Sequence, residues 1–166
     1  LQGLYLFYDD FSREEIERNF DFYEPITVHE SSLSPCVHSV LAARLRKIHK
    51  AHELYLRTSR LDLDDYNREV HEGLHITSMA GTWMSIVEGF GGMRVIDDKL
   101  SFFPRIPKQW KSYSFKINFR HRILKVEVSS EGSQFYLDSK EQMSIRVNEQ
   151  RVVLQPQKKV HVSNAK

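Results

Sequence analysis

Two short stretches of the sequence carry clustered side chains that could bind an anion. In the first, His75-Ile76-Thr77-Ser78, an imidazole and two hydroxyls fall in the first turn of a predicted helix. A helix start has free backbone N–H groups and a partial positive charge, so it suits an anion such as phosphate. The alternative use of these residues is local, because Thr77 and Ser78 could cap the helix while His75 packs on the preceding loop.

The second stretch is His29-Glu30-Ser31-Ser32, which also precedes a predicted helix, with Ser34 as its N-cap and Pro35 at its first position. In an array of helices, loops that open successive inward-facing helices can meet at one end. Hydroxyls, an imidazole and helix-start amides would then surround a cavity suited to phosphate or a sugar. For Ser31 and Ser32, too, local capping is the alternative.

Other reactive side chains give weaker signals. His71 and His75 have the spacing of some zinc sites, but Gly73 lies between them and the sequence places no third ligand nearby. The acidic loop 61–67 lacks the central Gly and terminal Glu of a calcium loop. Cys36 has no base on its own helix face, so we interpret it as a buried, inert thiol. The sequence therefore predicts neither a metal site nor a nucleophilic cysteine.

Helical spacing runs through the first half of the chain. Ser12 and Glu15 form a predicted capping box that opens the first clear helix. Apolar residues three and four apart predict helical segments over about 35–48 and 51–58, either as one bent helix or as two. The helix after Gly73 carries an apolar stripe that we expect to be buried. The stripe consists of Ile76, Met79, Ala80, Trp83, Val87 and Phe90.

After Gly89-Phe90-Gly91-Gly92 the spacing changes to alternation with a period of two. It is cleanest over 113–119, 124–128 and 143–147. One-sided alternation over many short strands predicts an antiparallel sandwich. The polar tail after Gln155 is expected to fray.

The sequence therefore predicts an α+β protein in which residues 1–91 form a helical part and residues 92–166 a β module. Its 40% hydrophobic and 28% charged residues are typical of a soluble globular protein. The net charge of +2 gives no argument for nucleic acid or an anionic membrane, and no apolar run approaches the roughly 20 residues of a membrane span. The single cysteine excludes an intramolecular disulfide and is compatible with a reducing cytoplasm, where we place the protein. The apolar start, 1–8, lacks an initiator Met, so we expect a longer protein.

Several motifs, in this order along the chain, resemble glycoside hydrolase family 65. They are Val28-His29-Glu30-Ser31-Ser32-Leu33-Ser34-Pro35, Arg60-Leu61-Asp62-Leu63-Asp64-Asp65-Tyr66-Asn67, the stretch around His75, and Gly89-Phe90-Gly91-Gly92-Met93-Arg94. Phe103-Pro104 through Trp110, followed by Ser114-Phe115-Lys116-Ile117, is similar to the start of the family's C-terminal β module.

The resemblance implies an (α/α)6 barrel followed by a small antiparallel β-sandwich, with this chain holding the last barrel helices and the sandwich. It places the family's phosphate-binding histidine at His75 and the serines of its phosphate loop at Ser31 and Ser32. Neighbouring phosphate contacts carry over to Thr77 and Ser78, and substrate contacts to His29 and Glu30. Arg46 departs from the family, whose members often have a glycine turn there.

The activity implied is inverting, phosphate-dependent cleavage of maltose to β-glucose 1-phosphate and glucose. Maltose is suggested by the run 75–83, while kojibiose, trehalose or nigerose as substrate, and hydrolysis instead of phosphorolysis, are alternatives. In a phosphorolytic site phosphate replaces the water and base of an inverting hydrolase. We therefore expect no carboxylate to face it, since two like charges 4 Å apart repel by about 4 kcal/mol at an effective dielectric of 20.

The family's general acid glutamate and a substrate-binding Lys-Gln pair would lie upstream of Leu1, so we expect no catalytic residue in this chain and no turnover by the chain alone. The implied partners are the disaccharide, inorganic phosphate as co-substrate and the upstream part of the barrel, without a cofactor or metal. A homodimer of the full-length protein is also expected. A non-catalytic carbohydrate-binding module, stacking sugars on Trp110 or Tyr113, is the alternative of another class.

Overall fold

The computed structural model describes residues 1–163, and the chain divides into two compact units at Gly89 and Phe90. The first unit is helical. Its helices are α1 (Gln2–Leu6), α2 (Arg13–Tyr23), α3 (Ser34–Arg44), α4 (Ile48–Ser59) and α5 (Ile76–Met84). Short 3-10 turns cover Tyr8–Asp10, Glu24–Ile26 and Val70–Glu72, and a π-helical segment covers Ser85–Phe90. Within 1–163, none of the helices has the length and apolar character that spanning a membrane requires.

The predicted capping box at the start of α2 is confirmed. The backbone N–H of Glu15 donates to Ser12 Oγ at 3.2 Å, and the N–H of Ser12 donates to Glu15 Oε2 at 2.9 Å. Two backbone donors at the helix start are satisfied in this way. Ile16 and Phe20, four residues apart, are buried on one face of the helix.

Helices α3 and α4 are separate, which resolves the alternative left open by the sequence. The chain turns at Arg46, whose φ is +65°, and the N–H of Lys47 donates to the Ala42 carbonyl at 2.8 Å. Arg46 adopts the left-handed conformation that glycine commonly supplies at a helix end. The turn therefore forms despite the departure from the family pattern. Helix α3 is buried at every position from Pro35 to Ala43, as expected for a central helix.

The prediction of a buried apolar stripe along α5 is wrong for its N-terminal part. The exposed fractions of Ile76, Met79 and Trp83 are 67%, 48% and 48%. Ala80 is also exposed, whereas Val87 and Phe90 are buried. Apolar periodicity identifies a helix face that favours burial, but it does not show whether the covering surface belongs to the same stretch of chain.

The face of α5 that is buried carries small residues: Ser78, Gly81 and Ser85. A Cβ atom added to Gly81 would lie 2.7 Å from Cys36 Cβ, so the two helices approach each other too closely for any larger side chain there. Cys36 is 1% exposed, and burial raises the pKa of its thiol. This agrees with the interpretation of Cys36 as a packing residue.

The second unit contains eight strands within its described part, arranged as two four-stranded sheets. The strands are β1 (Arg94–Ile96), β2 (Lys99–Phe102), β3 (Ser112–Phe119), β4 (Arg122–Ser129), β5 (Ser133–Asp138), β6 (Met143–Val147), β7 (Gln150–Leu154) and β8 (Lys159–Val162). One sheet has the order β1-β2-β6-β7 and the other β3-β4-β5-β8. All pairs of strands are antiparallel except β2 with β6, which is parallel and corrects the expectation of a purely antiparallel fold.

The connections between β3 and β4 and between β6 and β7 are two-residue hairpin loops. Arg120 and His121 both have positive φ, as do Asn148 and Glu149. Such backbone angles match the twist of the flanking strands. The fraying predicted after Gln155 is wrong for β8, which pairs with β5. The prediction also covers 164–166, which lie outside the described residues.

The two sheets share one apolar core. Phe102 of β2 and Phe135 of β5 are both fully buried, and their ring centroids lie 5.4 Å apart. Alternate residues of β4 point into this core, namely Leu124, Val126 and Val128, each with no exposed surface. Alternation of buried and solvent-facing residues is the pattern of a sandwich.

Candidate functional site

The two donor-rich stretches meet in space. Ser32 Oγ and Thr77 Oγ1, 45 residues apart in sequence, lie at a hydrogen-bonding distance of 3.0 Å. Thr77 is exposed and Ser32 is half-buried, so both hydroxyls are accessible from the surface. One hydroxyl donates to the other, and this leaves one O–H group of the pair available to a ligand.

His75 occupies the N-cap position of α5 and is oriented by Asp62. The imidazole Nδ1 lies 2.6 Å from Asp62 Oδ1, and the backbone N–H of His75 donates to Asp62 Oδ2 at 2.9 Å. A carboxylate only accepts hydrogen bonds, so Nδ1 carries the proton and Nε2 points away from Asp62. The side chain thus has a fixed orientation and a fixed tautomer.

The same contact changes the acidity of both groups. The hydrogen bond with Asp62 raises the pKa of His75, and the reciprocal hydrogen bond lowers the pKa of Asp62. Because its pKa is raised, His75 carries a positive charge over a wider pH range than a free imidazole. A cationic, oriented imidazole at the start of α5 is a suitable group for binding a phosphate dianion.

Carboxylates are closer to His75 than the sequence led us to expect. Besides Asp62, Glu69 approaches the ring, with Oε2 at 3.6 Å from His75 Nε2. The expectation that no carboxylate lies beside the candidate phosphate site is therefore wrong. Asp62 is hydrogen-bonded to the imidazole, whereas the Glu69 side chain is 45% exposed and its distance is too long for a hydrogen bond.

Ser31 and Ser78, the other predicted phosphate ligands, differ in exposure and in hydrogen-bond partners. Ser31 is exposed, and its Oγ accepts from the backbone N–H of Leu33 at 3.4 Å. Ser78 is 2% exposed, and its Oγ donates to the Thr58 carbonyl at 2.7 Å. The structure therefore brings Ser32, Thr77 and their neighbours together at the surface, while the Ser78 hydroxyl joins α5 to α4.

The two residues predicted to contact substrate also differ from each other. His29 is 7% exposed and has a positive φ of 59°; its Nδ1 lies 2.8 Å from Ser34 Oγ. Ser34 is the first residue of α3, so Leu33 takes the N-cap position that the sequence assigned to Ser34. Glu30 is exposed, and its carbonyl accepts from Asn67 Nδ2 at 3.5 Å. Its side chain is free of the packing that confines His29.

The loop 60–69 connects both stretches and was not recognised from the sequence as part of the site. Asp62 and Glu69 contact His75, and Asn67 contacts the backbone of Glu30. No sequence pattern predicts a contact between residues 13 positions apart, such as Asp62 and His75. The one indication in the sequence was that residues 60–67 resemble a motif of the family. The structure shows that this loop orients the candidate ligands.

The aromatic side chains that would support a stand-alone carbohydrate-binding module are packed together. The ring centroids of Trp110 and Phe90 lie 4.9 Å apart, and those of Trp110 and Tyr113 lie 5.7 Å apart. The Tyr113 hydroxyl donates to the Arg105 carbonyl at 2.8 Å, and burial raises its pKa. These contacts arrange the rings edge to face, and both Trp110 and Tyr113 are half-buried.

The helical unit carries an oriented histidine and paired hydroxyls, and the second unit is a β-sandwich. Both features are consistent with a carbohydrate-active enzyme that has a helical catalytic domain and a C-terminal β domain. The chain belongs to glycosyl hydrolase family 65. Residues 1–84 match the family's central catalytic domain, and residues 93–154 match its C-terminal domain.

Among its relatives, maltose phosphorylase of Bacillus subtilis (strain 168) is 57% identical over 93% of this chain and 20% of its own length. An α,α-trehalose phosphorylase of Thermoanaerobacter brockii is 41% identical over 92% of this chain and 20% of its own length. A solved structure from the human microbiome, provisionally described as a kojibiose phosphorylase, has a TM-score of 0.92 at 36% identity and covers 99% of this chain and 24% of its own. The chain thus spans about one fifth of the length of the curated relatives it matches.

Proposed function

We propose that this chain is part of an inverting disaccharide phosphorylase and that it supplies the phosphate-binding loops. The observation that carries the proposal is the Ser32–Thr77 contact of 3.0 Å, which joins the two loops. His75 precedes Thr77 by two residues, and Asp62 orients its imidazole. Hydroxyls and an imidazolium stabilise a dianion without supplying a base. The backbone N–H groups of His75, Ile76 and Ser78 already donate within the protein, so they are not among the proposed donors. Phosphate itself is the nucleophile in phosphorolysis, so no base is required.

His75, Ser32 and Thr77 are the proposed direct ligands, and Ser31 belongs to the same loop. We propose that Asp62 orients His75, and that Glu69 moves away from Nε2 when phosphate binds, since its side chain is 45% exposed. Ser78 contributes through its position in the first turn of α5, because its hydroxyl is bonded to Thr58. His29 and Glu30 stand on the same loop as Ser32, so substrate contacts there are proposed for Glu30 and are indirect for His29.

The proposed architecture of the whole enzyme is an (α/α)6 barrel, of which α3, α4 and α5 would be among the last helices. Support comes from α3, which is buried on all sides, and from the exposed apolar stripe of α5, which favours a further covering surface. The general acid would lie in the part of the enzyme outside this chain, so the chain alone is proposed to be inactive. The homodimer stays a prediction.

Maltose is the proposed disaccharide, with β-glucose 1-phosphate and glucose as products. The 57% identity to the maltose phosphorylase of Bacillus subtilis supports it, compared with 41% for the trehalose phosphorylase. Trehalose and kojibiose are the competing substrates, because proteins described as acting on them are also similar to this chain.

The proposal can be tested by grafting this chain in place of the matching segment of the Bacillus subtilis relative. We expect the chimera to cleave maltose only when phosphate is present. We expect His75→Gln and Ser32→Ala to raise the KM for phosphate by roughly tenfold or more, because each removes a hydrogen bond to a charged ligand. The KM for maltose should change much less.

Ser59→Ala is a matched control, since Ser59 Oγ donates to the Leu56 carbonyl at the exposed end of α4. Phosphate kinetics that are the same in the chimera and in both site variants would contradict the phosphate-binding role. Release of glucose without phosphate would indicate a hydrolase. Grafting the chain into the Thermoanaerobacter brockii relative and comparing maltose, trehalose and kojibiose shows whether this segment affects the choice of sugar.

A further inference from the structure

A buried cluster of metal-ligating side chains lies next to the candidate phosphate site and is not used by it. Glu24, His29 and His38 are 8%, 7% and 5% exposed, and one potential ligand atom from each lies within 4.8 Å of those of the other two. Glu24 comes from the 3-10 turn after α2, His29 from the loop that carries Ser32, and His38 from the middle of α3. The cluster therefore joins three separate segments of the helical unit.

Two imidazole nitrogens of this cluster are buried without a hydrogen-bond partner among the described residues. They are His29 Nε2 and His38 Nδ1. A buried polar atom without a partner is destabilising, so it requires an explanation. The ring centroids of the two histidines lie 4.6 Å apart at an interplanar angle of 74°, and His29 Nε2 is 3.7 Å from Glu24 Oε1.

The geometry points to a site for one divalent transition-metal ion, such as zinc, bound by Glu24, His29 and His38. Two imidazoles and one carboxylate form a donor set that zinc accepts, with a fourth position left to a small ligand. Three ligand atoms of one zinc ion, each about 2 Å from it, lie about 3.3–3.6 Å apart. The three donor atoms lie within 4.8 Å of one another, so binding an ion would draw them together by roughly 1 Å.

The surroundings of His29 fit this role. Its Nδ1 is 2.8 Å from Ser34 Oγ, and with Nδ1–H as the donor, the lone pair of Nε2 faces the cluster. A histidine that binds a metal commonly donates its other N–H to such a second group, which fixes the tautomer. Both imidazoles are buried, and burial favours the neutral form that binds a metal ion.

Two cations near the cluster oppose a bound metal ion. Lys50 Nζ lies 3.1 Å from Glu24 Oε1, and Arg57 donates to the backbone carbonyls of Val28 and His29. Lys50 also contacts Glu53 at 3.1 Å, so it keeps a partner when Glu24 binds the ion. Arg57 is bonded to the backbone and contributes only its charge. The positive field of these two side chains is therefore expected to weaken the site without blocking it.

The cluster is accessible. A cleft of about 520 Å³ opens beside it and is lined by Glu24 and His29 together with Lys50, Arg57 and Tyr66. A hydrated ion can reach the carboxylate and one imidazole through this cleft, while His38 lies deeper in α3. A bound ion would fix the loop that carries Ser32, because His29 and Ser32 are three residues apart.

The test uses the 166-residue chain, stripped of metal with a chelator and titrated with zinc chloride by calorimetry. We expect one zinc ion per chain, a higher thermal unfolding midpoint with zinc than without it, and reversal by chelator. Cobalt(II) in place of zinc should give the visible absorption bands of a site with few ligands. An absence of saturable binding would overturn the inference.

Single substitutions test whether zinc binds at this cluster or at other histidines. His38→Gln and Glu24→Gln should each weaken zinc binding by about 100-fold or more, because each removes a ligand. His52→Gln, a substitution of a mostly buried histidine of α4 outside the cluster, should leave zinc affinity unchanged. Circular dichroism of the metal-free variants checks the fold, and if His38→Gln fails to fold, Glu24→Gln decides.

For Lys50→Gln we expect stronger zinc binding, the opposite of the effect expected for the ligand variants. Removing the ammonium group that competes for Glu24 should tighten zinc binding by roughly tenfold. Zinc affinity that is unaffected by Lys50→Gln, His38→Gln and Glu24→Gln would mean that zinc binds elsewhere, and the site would be rejected. The phosphate-binding proposal does not depend on this result, because none of these three residues is a proposed phosphate ligand.

Discussion

The His75 imidazole is held through one nitrogen by Asp62, and its charge depends on that contact. The sequence indicated the residue types at this site, because hydroxyls and an imidazole at a helix start are visible in one dimension. It could not indicate Asp62 or Glu69, since their contacts with His75 depend on how the loop 60–69 folds back. It also could not show that Ser78 turns inward, because consecutive side chains of a helix differ in direction by about 100° and the sequence does not show which direction faces α4.

The role of Asp62 predicts a specific change in acidity. We expect the pKa of His75 to lie above 6.5 in the native chain and to fall in Asp62→Asn, because the amide has no charge to stabilise the imidazolium. A pH titration of the His75 ring by NMR, assigned with His75→Gln, measures both values. Asp64→Asn is the matched control, since Asp64 is paired with Arg60. Equal shifts in the two variants would contradict the proposed orientation by Asp62.

The same pair sets a pH window for its contribution to stability. The raised pKa of His75 means that its contribution is fully present below pH 6.5 and is lost as the pH rises through the native pKa. The lowered pKa of Asp62 means that its contribution is present above pH 3.8 and is lost as the pH falls through the native pKa. The stability difference between native chain and Asp62→Asn should therefore be largest between these values.

The sequence predicted where helices form better than it predicted which face of each helix is buried. The capping box of α2 was confirmed, because capping depends on neighbouring residues. The buried side of α5 was not predicted, because it is formed by small residues whose importance lies in the close approach of α3. The strand β8 was also not predicted, because it depends on contacts distant in sequence. Its sequence is polar and short, and pairing with β5 stabilises it.

The close approach of α5 to α3 predicts that alanine in place of Gly81 destabilises the protein. Gly81→Ala would place a Cβ 2.7 Å from Cys36 Cβ and 2.8 Å from its Sγ. We expect the free energy of unfolding to fall by about 1–3 kcal/mol from overpacking, although alanine favours helix by about 1 kcal/mol over glycine. Gly3→Ala in α1, where nothing lies within 4 Å, should be neutral or slightly stabilising. Chemical denaturation measures both, and a stabilising Gly81→Ala would refute this account of the packing.

At the scale of the whole molecule, the division into a helical and a β part follows from the change of hydrophobic period near residue 91. The resemblance to family 65 is confirmed by the matches to both domains of the family. The two parts differ in how far they enclose their own apolar residues. In the β unit the largest core side chains, such as Phe102, Phe135 and Leu137, have no exposed surface. Both units have exposed apolar residues, but among the described residues sixteen large ones are exposed in the helical unit and three in the β unit. In the helical unit Phe22, Ile76 and Trp83 are 65%, 67% and 48% exposed.

This difference predicts that the β unit folds independently more readily than the helical unit. Residues 90–166 expressed alone should give the circular dichroism of a β protein and one cooperative thermal transition, because a closed sandwich core needs no further surface. Residues 1–89 expressed alone should bind more of an apolar-surface dye and unfold with lower cooperativity, because their exposed apolar side chains favour association. Non-cooperative unfolding of 90–166, or equal dye binding by the two pieces, would show that the β core depends on the helical unit after all.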